Sequence, residues 1–426
     1  MRMETKRPIR VLAVDDSAVM RGVLRDLFQT RCVKQTNNLP AMELCGLVED
    51  GVECLAAVLQ LRPDVVVLDL EMPRMHGLDV LERLRIEEPG LPVIMCSAYT
   101  ERGARSTLDA LALGAADYVM KPSNQNDLAT AMETLASQLL PKIAVLGGAG
   151  FTMLSVVREK TTQKAMAESG RPYGLGSTAP SATTGHNSAR VEIVVIGVST
   201  GGPTALEAVL PRLAADFPVP VMIVQHMPKL FTGELAERLD RRCTLRVREA
   251  CDGVEVKPGT IWLAPGDAHM EVQTANGSSA GGNGGVRRAV VQLHQQRSLN
   301  HCKPSVDYLF SSAARLYGAG TLALVMTGMG SDGLTGARQV HEAGGVVLTQ
   351  DEATSAVWGM PGRVFQAGLS REPLPLASLA GELTRRVSAG QKGCAIREAP
   401  SNFSVAATRN GSNDSAPQPE ATHGLL

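Results

Sequence analysis

Two doubly wound α/β domains in tandem are what this sequence predicts, and three observations predict them. Short apolar runs recur through residues 9–140 and again from 191 onward, each followed by a segment of helical periodicity. A stretch rich in Ser, Thr, Gly, Ala and Pro separates the two series. Polar residues of chemical interest stand at the ends of the apolar runs, where open parallel sheets bind ligands. The 426 residues are too many for one ordinary core.

In the first series, strands fit Ile9–Val14, Met42–Val48, Val65–Leu70, Pro92–Cys96 and Ala116–Met120. Runs apolar on both faces suit strands of a parallel sheet covered on both sides. Five β–α repeats therefore give a small five-stranded domain over residues 1–140, with a polar, irregular loop near residues 30–41. Residues 141–190 read as a linker, with Ala144–Val157 as a short ordered piece. From 191 to 387 a second, mostly parallel α/β series follows. Its strands fit Ile193–Val198, Pro220–Gln225, Thr260–Ala264, Leu322–Met326 and Val346–Thr349. Helices fit Thr204–Leu213, Gly233–Leu239, Val306–Tyr317 and Thr335–Glu342, and the Gly-rich insert Asn276–Gly285 joins two hairpin strands. The polar segment 388–426 reads as a disordered tail.

Charge and cysteine usage narrow the function classes. With 42 Lys+Arg against 43 Asp+Glu there is no electrostatic footprint for nucleic acid. The eight cysteines show no CxxC spacing, which argues against a zinc ribbon or redox dithiol and for a reducing compartment. The N-terminus lacks a signal-peptide apolar region, and no apolar run approaches the roughly 20 residues that span a bilayer. A cytoplasmic protein without membrane insertion is expected.

Asp15 and Asp16 end the first strand of the first series, Asp69 the third, Ser97 the fourth and Lys121 the fifth. Carboxylates gathered at one rim repel one another, and a hard cation such as Mg2+, held by Asp16 and Asp69, relieves that repulsion. Ser97 and Lys121 suit phosphate oxygens. The set fits phosphorylation of Asp69 itself, with the carboxylate as nucleophile. Capping explains any one such residue; it does not explain polar groups in order on successive strand ends.

In the second series the first strand runs into Gly197-Val198-Ser199-Thr200-Gly201-Gly202-Pro203. This G-x-S-x-G turn lifts a serine above the sheet at a helix N-terminus. Alone the pattern is short and weak; its partners strengthen it. His226 ends the next strand and is a candidate general base. Asp332 follows another strand, within TGMGSDG, and can orient His226. Thr200 and the exposed-backbone Met329 are weaker oxyanion or substrate candidates. His301 is a weaker substrate contact, and His269 a further histidine that could approach the cleft. The order Ser, His, Asp, starting on the first strand, differs from that of an ordinary α/β-hydrolase. No cofactor is expected for hydrolysis.

The motifs VDDS, LDLEMPRMHGLDVL, MCSA and DYVMKP resemble the response-regulator receiver domain of two-component signalling, a flavodoxin-like fold. That resemblance implies that a histidine kinase phosphorylates Asp69 and that Ser97 and Tyr118 take part in the ensuing switch. VIGVSTGGPTAL, VQHMP, WLAPGD, KPSVDYLF and VMTGMGSDG together resemble the catalytic domain of the CheB family of chemotaxis methylesterases. The second resemblance implies demethylation of glutamyl methyl esters on methyl-accepting chemoreceptors, with deamidation of receptor glutamines in many members. Ser199 would be nucleophile, His226 base and Asp332 orienting acid. The fusion suggests that the unphosphorylated receiver covers the catalytic cleft. The alternative is a response regulator whose second domain is a binding module rather than a hydrolase.

Overall fold

The computed structural model describes residues 7–31, 39–122, 128–148, 190–275, 288–300 and 302–392. Residues 149–189 of the linker, the Gly-rich insert, most of the loop near residues 30–41, His301 and the tail beyond 392 fall outside the described residues; residues 141–146, read as the start of the linker, and 388–392, read as the start of the tail, instead continue helices.

The first domain alternates strand and helix: β1 (Ile9–Val14), α1 (Ala18–Arg31), β2 (Met42–Val48), α2 (Gly51–Leu61), β3 (Val65–Asp69), α3 (Gly77–Glu87), β4 (Val93–Ser97), α4 (Glu101–Ala112), β5 (Asp117–Met120) and α5 (Leu128–Leu146). The strands form one parallel sheet in the order β2-β1-β3-β4-β5. Alternate residues feed two apolar layers, because successive strand side chains point to opposite faces. Val11, Val67, Ile94 and Val119 pack on Leu24 and Leu27 of α1 and Leu135 and Leu139 of α5. Leu12, Leu68 and Met95 pack on Val58, Leu81 and Leu108 of α2–α4. Helix starts follow local chemistry: Asp50 accepts from the Val52 and Glu53 amides, and Thr100 from the Gly103 amide.

The second domain comprises β6 (Ile193–Val198), α6 (Gly202–Val209), β7 (Val221–Gln225), α7 (Lys229–Asp240), β8 (Arg246–Glu249), β9 (Thr260–Leu263), β10 (His269–Thr274), β11 (Ala289–His294), α8 (Val306–Tyr317), β12 (Thr321–Val325), α9 (Leu334–Glu342), β13 (Val346–Gln350), α10 (Met360–Gln366), β14 (Pro373–Leu374) and α11 (Leu376–Lys392). Seven strands pair in parallel in the order β14-β13-β12-β6-β7-β9-β8, and β10 with β11 forms the expected antiparallel hairpin. Ile193, Val195 and Val325 pack against Phe310 of α8 and Val340 of α9. Val194, Ile196 and Ile223 face Leu206, Leu235 and Leu383 of α6, α7 and α11. Strands β8 and β14 escaped the sequence reading. Arg246 and Arg248 are exposed on the edge strand β8, and β14 is only two residues long.

Helix α4 of the first domain packs on α6 and α7 of the second. Arg105 pairs with Glu234 at 2.8 Å and Arg238 with Asp109 at 2.5 Å. Tyr118 stacks on Phe231, with ring centroids 5.0 Å apart and planes 7° from parallel.

Candidate functional site

Two sites lie at the carboxyl edges of the two sheets, where the loops leaving adjacent strands diverge. At the first, Asp15 and Asp69 are buried at 1% and 2% exposure, whereas Asp16 faces solvent. Lys121 Nζ bridges them, 2.9 Å from Asp15 Oδ2 and 2.7 Å from Asp69 Oδ2. Asp15, Asp16 and Asp69 each offer an oxygen within 4.8 Å of the others. That all-oxygen, partly solvated donor set fits Mg2+. Ser97 Oγ donates to the Gly103 carbonyl at 3.2 Å, tying the strand end to α4. The Tyr118 ring is buried in the interdomain contact, with Lys142 Nζ 5.1 Å from its centroid.

Burial pushes the Asp69 carboxyl up to about 6; the Lys121 hydrogen bond opposes this and the Asp15 charge adds to it. A raised acid pKa means the folded state holds its proton more tightly. Stability from this group is therefore highest in acid and falls as pH rises from 3.8 toward about 6. Asp69→Asn should accordingly stabilise the chain near neutral pH by about 1–3 kcal/mol, since each pKa unit is worth about 1.4 kcal/mol. Urea unfolding at neutral pH and at about pH 4, below which the gain vanishes, checks this.

The second site is built from three strand ends. Ser199 follows β6, and the carbonyl of Thr327, just beyond β12, accepts its amide at 3.0 Å. Gly201 holds φ +75, a left-handed conformation that turns the chain into α6, and any β-carbon there would collide with Ala356. Gln225 donates to the Ser199 carbonyl at 3.0 Å, and His226 follows at the end of β7. His226 Nε2 lies 2.8 Å from Asp332 Oδ2. Asp332 is 2% exposed and accepts from Ser305 Oγ at 2.7 Å, the Val306 amide at 2.7 Å and Asn300 Nδ2 at 3.3 Å. Burial alone lowers the basicity of His226, but the Asp332 hydrogen bond, helped by Cys302, outweighs it and raises the pKa. Asp332 moves the opposite way: burial disfavours its charge, and the His226 hydrogen bond with Ser305 and Val306 holds it low.

His226 Nδ1 faces Cys302 Sγ at 3.6 Å. Ser199, Thr200, His226, Cys302, Met329 and Asp332 line one cavity of about 360 Å³. The first domain contributes Leu111, Asp117, Tyr118, Gln138 and Lys142 to the same lining. Thr200 Oγ1 donates across the boundary to Asp117 Oδ2 at 2.7 Å, and Asp117 also pairs with Lys142 at 2.7 Å. The residue after the serine is thereby tied to the residue before Tyr118.

Sequence reasoning missed Asn300, Cys302, Ser305 and Asp117. Only Ser305 carried a legible signal, as an N-cap before Val306-Asp307. His269 sits in β10 at 0% exposure, accepts the Ser305 amide at 3.2 Å and is pushed by burial down to about 4. It supports the turn that holds Asp332 rather than facing the cavity.

Residues 194–383 match the family described as CheB methylesterase, and residues 11–133 the response regulator receiver domain. A Trichodesmium erythraeum protein named protein-glutamate methylesterase/protein-glutamine glutaminase is 41% identical over 378 residues, covering 89% of this chain and 99% of that one. A Nocardioides protein of the same name is 43% identical over 392 residues, covering 89% and 96%. The crystal structure of the Thermotoga maritima CheB methylesterase catalytic domain shares 40% identity, covers 46% of this chain and 98% of its own, and gives a TM-score of 0.43. No helix among the described residues is long and apolar enough to cross a membrane.

Proposed function

This chain belongs to the CheB methylesterase family, and on that premise we propose that it is a receiver-controlled hydrolase of glutamyl methyl esters on chemoreceptors, with glutaminyl deamidation as a second activity. The observation that carries the reading is the buried Asp332–His226 pair, opening at 2.8 Å onto the cavity that Ser199 lines. Ser199 is the nucleophile. His226 is the base, and the atom that takes the proton is Nδ1, because Nε2 is committed to Asp332. Attack on the ester carbonyl gives an oxyanion beside the glycine-rich 328–330 turn, where the Met329 amide is a candidate donor. Methanol or ammonia leaves, and water hydrolyses the acyl-serine with His226 again as base.

The receiver supplies control. Asp69 accepts the phosphoryl group from a histidine kinase, and Lys121 reaches the same rim to contact its oxygens. Asp15, Asp16 and Asp69 would hold Mg2+, which offsets phosphoryl charge. In the unphosphorylated state Tyr118 lies on Phe231 and Asp117 holds Thr200, so receiver residues form part of the wall of the cavity that Ser199 lines. Phosphorylation shifts the population away from this docked form.

The test is methanol release from methylated receptor membranes, with and without a small phosphodonor; ammonia release reads deamidation. No methanol under either condition removes the reading. Asp332→Asn is expected to lower hydrolysis by roughly 10²–10⁴-fold, as loss of the orienting carboxylate does in serine hydrolases. It should also move the pH midpoint of the residual activity toward acid. The Asp332 charge raises the His226 pKa, so without it the free base appears at lower pH. A pH–rate profile of both proteins decides this.

A further inference from the structure

Cys302 is a thiol of the cavity that the reaction does not use, and its surroundings have the form of a metal site. It lies in the turn before α8, half-buried, with Sγ 3.6 Å from His226 Nδ1. Zinc bonds thiolate sulfur at about 2.3 Å and imidazole nitrogen at about 2.0–2.1 Å, and at a tetrahedral angle those lengths put sulfur and nitrogen about 3.6 Å apart. The two atoms therefore already span one edge of a zinc tetrahedron. We propose that His226 Nδ1 and Cys302 Sγ form a binding site for one thiophilic divalent cation, Zn2+ in type.

Three further features support it. A ligating histidine nearly always donates its other ring N–H to a carboxylate, a backbone carbonyl or water, which fixes tautomer and ring plane. Here Nε2 faces Asp332 at 2.8 Å, and Asp332 is itself held by Ser305 and Val306. The imidazole, thiol and carboxylate atoms lie within 4.8 Å of one another. The cavity of about 360 Å³ leaves room for water or the Ser199 hydroxyl in the remaining positions. The receiver's acidic set, all oxygen, selects hard ions, whereas a sulfur–nitrogen pair selects softer ones, so the chain sorts two cation classes between its domains. On binding, the thiol gives up its proton to solvent and the Nδ1 lone pair enters the metal bond. Nδ1 is then closed to Ser199. That consequence rests on the proposed reaction; the site itself does not.

Titrating the reduced full-length chain with Co2+, in excess Mg2+ to occupy the receiver, tests the site. A near-ultraviolet thiolate-to-cobalt absorption should saturate at one equivalent, bleach on adding Zn2+ and vanish in Cys302→Ser. In the unaltered chain, Zn2+ at about ten times its Kd should slow iodoacetamide alkylation of Cys302 about tenfold, since only the free fraction reacts. Hydrolysis should fall in parallel, and Cys302→Ser should lose that sensitivity. Absorption of full strength in Cys302→Ser, or undiminished Cys302 alkylation in saturating Zn2+, overturns the site. Zn2+ that gives both binding signals yet leaves hydrolysis unchanged supports the site and removes His226 from the reaction.

Discussion

Ser199→Ala should reduce methanol release by at least roughly 10³-fold, because serine, histidine and acid act as one unit and loss of the nucleophile removes nearly all that the unit supplies. The side chain is small and stands at a strand end. The Ser199 backbone bonds to Thr327 and Gln225 do not involve its hydroxyl, so the fold should be unaffected. Phosphorylation of Asp69 should proceed at the normal rate. Phosphate incorporation and methanol release measured on one preparation separate the two halves. Hydrolysis retained near the original rate would move the nucleophile elsewhere and favour a second domain that only binds.

Removing the receiver should have the next largest effect. A docked form favoured about 99:1 leaves only about one part in 100 of the molecules accessible, so its loss raises the rate up to about 100-fold. The 190–426 fragment should therefore outpace the unphosphorylated whole chain and match the phosphorylated one. Truncation exposes Phe231, which Tyr118 covers, so a full-length variant is a needed companion. Asp117→Ala takes the acceptor from Thr200 and leaves Lys142 without its carboxylate partner, all within the contact. Leaving such groups unpaired costs about 1–3 kcal/mol, enough for a five- to hundredfold shift toward open forms. Rates measured with and without phosphodonor decide it: fragment and variant no faster than the resting whole chain would mean that docking does not limit access.

Much of this arrangement was legible residue by residue. Asp15, Asp69, Ser97 and Lys121 end apolar runs, and a parallel sheet brings successive run-ends to one edge whatever the loops do. The same rule brings Ser199 and His226 together, since β6 and β7 are neighbours. Asp332 was harder. It stands beyond the end of β12 inside a glycine-rich turn, and only the pairing of β12 with β6 carries it to His226.

The supporting contacts had no such signature. Asn300, Cys302 and Ser305 come from the turn before α8, whose path over the sheet edge is set by packing against β6 and β10 rather than by local pattern. Nothing in the sequence near Cys302 says that a histidine ring lies 3.6 Å away.

The sequence by itself therefore determined two sheets, their polar rims and the chemistry each rim can hold, because alternating periodicity and strand-end position are local properties. The tertiary structure alone decided that Tyr118 of one domain stacks on Phe231 of the other, that Asp117 reaches Thr200, and which imidazole nitrogen faces Asp332. Those depend on complementary surfaces meeting across long separations, with Thr200 and Asp117 83 positions apart, and no periodicity along the chain encodes such a meeting.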